Sequence, residues 1–240
     1  MTDLSALALE TVSKTYAGRT VVDRISFSIA AGSITALLGP NGAGKSTTMK
    51  MCAGFLDSDA GSIMIAGINI REERSSALKR LTYLPENVVL YEELSGIENL
   101  HHLLGLATGT TLPRARLTAA LSNVGLPAEA HDRRTGTYSK GMRQKVGLAL
   151  ALARDSRLLL LDEPTSGLDP QSAAEFNTAL AATAATGVGV LMATHDIWRA
   201  REVAGRILVM ARGRIALDLD PAKLSADEIE RQFFLEAQAG

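Results

Sequence analysis

Cysteine is nearly absent from this sequence of 240 residues: Cys52 stands alone, so no internal disulfide can form and no Cys/His spacing marks a structural zinc. A reducing cytoplasm fits that usage. Net charge is equally scarce. The formal balance of −1 gives no global electrostatic reason to expect nucleic acid or an anionic membrane as the main partner. Long apolar runs are missing too: stretches such as 147–153 and 158–161 fall far short of the roughly 20 residues that a spanning helix needs. Any membrane-spanning part of the system is therefore expected on another polypeptide. The first ten residues include Asp3 and no basic segment leading into an apolar run, so no secretory signal is expected. Repeats and low-complexity linkers are not found.

What is present is aliphatic. Hydrophobic residues make up 46% and charged ones 21%, the balance of a folded chain long enough for one large α/β domain or a core with an inserted subdomain. Alternating Ile25, Phe27 and Ile29, with Leu7 and Leu9 before them, predict strands of a half-exposed antiparallel sheet near the N-terminus. The run 34–38, apolar but for Thr35, stops at Gly39-Pro40-Asn41-Gly42, as a strand buried on both faces stops at a tight loop, and a helix is expected from Lys45 or Ser46. Short strands are predicted at 62–65 and 68–70 around Gly67, a charged helix near 73–80, and a strand at 81–84 ended by Pro85. From Ser95 to about Ser139 the pattern turns helical, opening with Ser95 and Glu98 spaced as a capping box. A helix to about Arg154, buried strands at 158–161 and 187–193, two short strands in 206–219 and a helix capped by Ser225 and Glu228 complete the pass. The expected fold class is α/β: one domain over 1–240 with a mainly parallel sheet, an N-terminal antiparallel β subdomain, an inserted helical subdomain at about 87–140 and a short helical tail at 218–240. Phe233, Phe234 and Leu235 in that tail are expected to pack back on the core. His101, His102 and His131 read as a solvated face rather than metal ligands, and Cys52 as core packing.

Ligands of parallel sheets gather at the carboxyl ends of the strands, and the motifs fall there. Gly39, Pro40, Asn41, Gly42, Ala43, Gly44, Lys45 and Ser46 match a phosphate-binding P-loop between buried strand and helix, with Thr47 next in the same turn. Its glycines let backbone amides curl around phosphates, Lys45 pairs with the outer ones, and Ser46 can hold Mg²⁺. The helix adds its positive N-terminal end. Asp162 and Glu163 stand where the strand 158–161 runs out. Asp162 suits a Mg²⁺ contact, direct or through water, and Glu163 can polarise the water that attacks a γ-phosphate.

Two further segments, Tyr138-Ser139-Lys140-Gly141-Met142-Arg143-Gln144 and Asp162 through Asp169, resemble the signature motif and D-loop of the ABC ATPases, and order and spacing cover residues 5 to 217. The resemblance implies a P-loop NTPase core that binds and hydrolyses ATP with Mg²⁺, with Lys45, Glu163 and His195 catalytic. By position, Tyr16 resembles the aromatic that stacks on adenine, a contact of about 1–3 kcal/mol. His195 resembles the switch histidine that reaches the γ-phosphate. Ser139 and Gly141 resemble the signature residues that contact nucleotide held by the other subunit, with Asp169 at the contact. The resemblance thus implies two partners: a second copy, most simply a homodimer, and a separate integral membrane permease that holds the chain on the inner face of the cell membrane. Ser46, Asp162 and Glu86 form the implied metal set.

Two departures from the family pattern stand out. The signature has Tyr138 and Lys140 in place of the commonest leucine and glycine, and ends Met142-Arg143-Gln144, a form similar to ABC-2 type exporters. Glu86 occupies the place of the usual Mg²⁺-sensing glutamine. The segment 83–96 is similar to the ATPase that assists nitrous oxide reductase maturation, and to other ABC-2 ATPases. The rival reading, a soluble ABC ATPase acting on ribosomes or DNA, calls for two cassettes or a coiled-coil insertion that this sequence lacks; an importer subunit and a decayed regulator are further alternatives.

Overall fold

The computed structural model describes residues 5–238; Asp3, on which part of the expectation about a secretory signal rests, lies outside them. The alternating N-terminal segments form β1 (Leu7–Tyr16) and β2 (Arg19–Ile29), which join β4 (Ala60–Ile65) and β5 (Ile68–Asn69) in an antiparallel sheet ordered β2-β1-β4-β5. The continuous apolar runs form a second, six-stranded sheet. β3 (Ile34–Leu38), β6 (Leu81–Leu84), β7 (Leu158–Asp162), β8 (Gly189–Thr194) and β9 (Arg206–Ala211) are parallel, and β10 (Arg214–Leu219) pairs antiparallel with β9. The order is β10-β9-β3-β8-β7-β6.

Side chains alternate across a strand, so each central strand feeds two cores. On one face Ala36, Leu38, Leu159, Leu161, Val190 and Met192 pack against helices; on the other Leu37, Leu158, Leu160, Leu191 and Ala193 pack against the antiparallel sheet and α1 (Lys45–Cys52). That double cover explains why these strands read as predominantly apolar runs. The helical layer holds α3 (Gly96–Thr108), α4 (Arg114–Asn123) and α5 (Lys140–Ala153), joined by 3-10 turns at Ala128–Ala130 and Thr135–Thr137; the short α2 (Arg74–Leu78) precedes β6. Ser95 and Glu98 make the expected capping box on α3. Ser225 and Glu228 do the same for α8 (Ala226–Gln238).

The sequence reading did not delimit α6 (Pro170–Ala185) or α7 (Ile197–Val203). Both are alanine-rich or short, with a weak apolar stripe, and their starts are set by the caps Asp169 and Asp196. Two expectations are corrected. His131 is buried, not solvated: its Nε2 lies 3.0 Å from the Leu126 carbonyl, a local bond that lets an imidazole sit inside a turn. Of the three apolar residues expected to pack back, Phe233 is buried with Ala226 and Ile229, whereas Phe234 and Leu235 are exposed, because one stripe of a single helix faces the core. Cys52 is fully buried among Met49, Met51 and Ala53, and burial pushes its thiol up to about 12.

Candidate functional site

Parallel register carries four loops to one edge of the sheet. Leu84 pairs with Leu161, Asp162 with Ala193 and Leu38 with Thr194, so the turns after β6, β7, β8 and β3 emerge side by side. They bring together Glu86, Asp162 with Glu163, His195, and the loop from Gly39 to Gly44.

That last loop is shaped by close approach. Gly44 has φ 109°, and a Cβ there would sit 2.6 Å from Met210 Cε and 2.8 Å from the Val21 carbonyl, so no side chain fits. Gly44 is the N-cap of α1, and α1 has neither a side-chain cap nor an acid in its first turn. Its leading amides are orphans, and its dipole is unopposed. Beside them lies a cavity of about 150 Å³ lined by Val21, Pro40, Asn41, Gly42, Gly44, Lys45, Ser46 and Thr47. Lys45 is 8% exposed and donates to the Gly39 carbonyl at 2.5 Å and the Pro40 carbonyl at 3.2 Å. Burial pulls its ammonium below the ordinary range, against the longer-range support of Glu163 and Asp162. An uncapped helix end and a desolvated cation on carbonyls alone are the environment that a polyphosphate completes. Gly39 and Ala43 shape the loop from behind, Ala43 buried and tied by its carbonyl to the Gly213 amide at 3.0 Å.

The acids at the end of β7 differ from one another. Asp162 accepts a bond from the Tyr83 hydroxyl at 3.3 Å, and burial pushes its carboxyl above the usual range; burial and Asp162 together push the Tyr83 phenol up to about 12. Asp162 is thus a half-buried carboxylate, and with Ser46 its oxygens fit Mg²⁺. Among the described residues no group of three or more His, Cys, Asp or Glu could hold a metal ion, so a cation here would share its coordination with phosphate oxygens. The amide and the carboxylate of Glu163 are held by three bonds. Its amide donates to the Ala193 carbonyl at 2.8 Å, Thr194 Oγ1 donates to Oε2 at 3.0 Å, and His195 Nδ1 lies 2.9 Å from Oε1. Its φ is 47°, a left-handed conformation that costs a non-glycine residue about 1–3 kcal/mol and persists where neighbours over-determine it.

Glu86 meets the other departure from the common pattern. Its carboxylate lies 3.6 Å from the Lys140 ammonium, and its carbonyl accepts from Gln144 Nε2 at 2.8 Å. The two unusual residues thus face each other across the turn after β6 and the start of α5. Ser139 caps α5 by accepting from the Met142 amide at 3.3 Å, and Gly141 lets that helix end approach α6, where a Cβ would stand 3.4 Å from Ser172 Cβ. Asp169 caps α6 from the same corner, accepting from the Ser172 amide at 3.0 Å, and Ser172's hydrogen bonds hold its carboxyl below the usual range.

The structure therefore gathers Asp162, Glu163 and His195 near Lys45 of the phosphate loop, while none of Ser139, Gly141 and Asp169 lines the loop's cavity; Ser139 and Asp169 are exposed and Gly141 is buried. Tyr16, at the end of β1, is exposed and outside that lining, with the Lys14 ammonium 5.7 Å from its ring centroid. Sequence reasoning missed Val21, which closes the cavity from β2, and the hydroxyls of Tyr83 and Thr194. Thr194 sits beside His195 in sequence, so adjacency to a catalytic candidate was the available signal; Val21 had none.

A family model described as ABC transporter matches residues 22–166. The chain belongs to the ABC transporter ATP-binding family. Its cassettes are ATPases, and the P-loop, Asp162 and Glu163 all fall within the matched stretch. The uncharacterized ABC transporter ATP-binding protein YhcH of Bacillus subtilis (strain 168) is 36% identical over 96% of this chain and 75% of its own length. The Nod factor export ATP-binding protein I of Paraburkholderia xenovorans (strain LB400) is 35% identical over 94% of this chain and 74% of its own. Among solved structures, cbiO1 from Clostridium perfringens, part of the ABC transporter complex cbiONQ, superposes with a TM-score of 0.84 at 28% identity, covering 96% of this chain and 95% of that one. The superposition on cbiO1 spans nearly the whole chain, not the P-loop alone.

Proposed function

We propose that this cassette is the motor of an ABC-2 type exporter, working as two identical copies on the cytoplasmic face of a separate membrane-spanning permease. The observation that carries the pairing is the division of the site. The cavity beside Lys45 is lined by neither Ser139 nor Gly141; Gly141 meets α6 next to Asp169, and of these three Ser139 and Asp169 are exposed. Two copies face to face set each signature over the other's P-loop, and neither copy completes its own. Export is supported by the signature form and by the name of the Nod factor export relative. No helix among the described residues is long and apolar enough to cross a membrane.

In hydrolysis Lys45 and the α1 amides bind the phosphates, Tyr16 stacks on the adenine, and Ser46 and Asp162 hold Mg²⁺, with Glu86 the candidate third oxygen. Mg²⁺ supplies neutralisation of phosphate charge when bound. Glu163, steadied by Thr194 and His195, takes the proton of the attacking water. Closure of the pair on ATP and its release after hydrolysis do the conformational work, through the different affinities of nucleotide for the two states. The segment 86–95 and the neighbouring helices are the proposed docking surface; Val89 and Tyr91 there are exposed, an apolar pair suited to a protein partner.

Affinity purification of the Glu163→Gln chain from gently solubilised membranes with ATP present tests the assignment. An integral protein with several spanning helices is expected in the eluate. A purely soluble partner instead would favour action on ribosomes or nucleic acid.

A further inference from the structure

Loop 163–169 and the switch histidine leave different strands, and the backbone joins them only at Glu163, through its amide bond to Ala193. Beyond that point the loop folds on itself, Ser166 donating to the Glu163 carbonyl at 3.1 Å and Leu168 to the Thr165 carbonyl at 3.2 Å. Arg199 of α7 spans the gap. Its Nη1 donates to the Thr165 carbonyl at 2.9 Å and its Nη2 to the Leu168 carbonyl at 3.2 Å, while Nε lies 3.1 Å from Asp196 Oδ2. Asp196 continues the path. Its Oδ1 accepts the Arg199 amide at 3.0 Å, and its own amide donates at 3.1 Å to Thr194 Oγ1, the hydroxyl that donates to Glu163.

One guanidinium therefore links the carbonyl next to Asp169 with Asp196, whose amide binds the hydroxyl that donates to Glu163. An exposed arginine on a helix would lose rotamer freedom for little return, but this one is three-quarters covered and uses its fork on two carbonyls and a carboxylate at once. The planar fork fixes where the loop can lie relative to α7, which a flexible ammonium would not.

We propose that Arg199 is a positioning residue for hydrolysis: it locks the D-loop to the Thr194–Asp196 turn, so that a partner copy seated against Asp169 sets the geometry of Glu163. The inference rests on the ATPase reading above and adds a route from the dimer contact to the base. Arg199 touches neither ATP nor the attacking water, and acts only through the loop and through Thr194.

The test compares wild type, Arg199→Ala, Arg199→Lys, Asp169→Ala and the Arg199→Ala/Asp169→Ala double variant. For each, the melting temperature, the affinity for a non-hydrolysable ATP analogue, and kcat and KM for ATP are measured. Arg199→Ala should keep the melt, the analogue affinity and KM of wild type, and lose about ten- to a hundredfold in kcat, the effect of a small misplacement of a reacting group. Arg199→Lys should recover part of the loss, since it restores charge and one carbonyl bond. The double variant should be no slower than the slower single variant, because both changes cut one path. Unchanged kcat in Arg199→Ala, multiplicative losses in the double variant, or a loss explained wholly by a lower melt would overturn the role. A wild-type chain with no ATPase activity refutes the underlying reading and the proposal together; an active wild type with any of those three results refutes Arg199 alone.

Discussion

Glu163→Gln is the substitution in which base chemistry and structure separate most cleanly. A glutamine keeps the length and one oxygen of the glutamate. The bonds to Thr194 and His195, at 3.0 Å and 2.9 Å, can both be remade by a rotated amide, because a hydroxyl and a neutral imidazole each donate or accept. The left-handed backbone at φ 47° is retained with the same Cβ. What disappears is the charge and the ability to take a proton. Loss of a positioned general base lowers turnover about 10²–10⁴-fold, which is roughly 3–5 kcal/mol of barrier. Binding of ATP should survive, since Lys45, Ser46 and the α1 amides are untouched and Lys45 loses only long-range support from Glu163. The assay is steady-state phosphate release beside equilibrium binding of a fluorescent ATP analogue. Near-normal turnover with intact binding would remove Glu163 from the role; loss of binding would mean that the carboxylate holds the loop rather than the water.

Lys45→Ala should abolish measurable ATP binding while leaving the fold intact, because the buried ammonium bonds only to carbonyls of its own loop; retained tight binding in calorimetry would sink the P-loop assignment. Phe176→Ala removes a fully buried ring from α6 and should cost about 3–5 kcal/mol in urea denaturation; a loss under 1 kcal/mol would mean the site collapses without a cavity. Cys52, its thiol pushed up to about 12 by burial, should resist a thiol reagent at pH 8 until the chain unfolds, so prompt labelling of native protein would contradict the core placement. Asp23, Asp59 and Asp218 are held low by hydrogen bonds from Arg214, Lys14 and Arg206 respectively. Their stabilisation is present above the unfolded carboxylate range near about 3.9 and lost as pH falls through the lower folded values, so the melting temperature should drop in acid below about pH 4. A flat melt from pH 6 to pH 3 would refute that reading.

Much of the parallel sheet was legible because double burial leaves an unmistakable mark: in runs such as 34–38 and 158–161 the only polar residue is Thr35, and each ends at the loop that carries the chemistry. The capping box at Ser95 was equally plain. α6 was not, since a helix rich in alanine carries a weak stripe and its cap, Asp169, had already been read as part of a motif. The contact between Glu86 and Lys140 shows the limit in another form. Each departure was visible by itself, but their distance in the sequence hides that they face each other until the end of β6 and the start of α5 are placed. Arg199 had no signal in one sequence; its meaning comes from the two carbonyls that it covers.

The central claim is that one copy cannot complete its own site, and the mass of the Glu163→Gln chain in solution tests this most directly. Light scattering with Mg²⁺ and without nucleotide should give the monomer, and saturating ATP should double the molar mass. A mass that stays monomeric at saturating ATP, with binding confirmed in the same sample, would contradict the face-to-face pair and the role given to Ser139, Gly141 and Asp169.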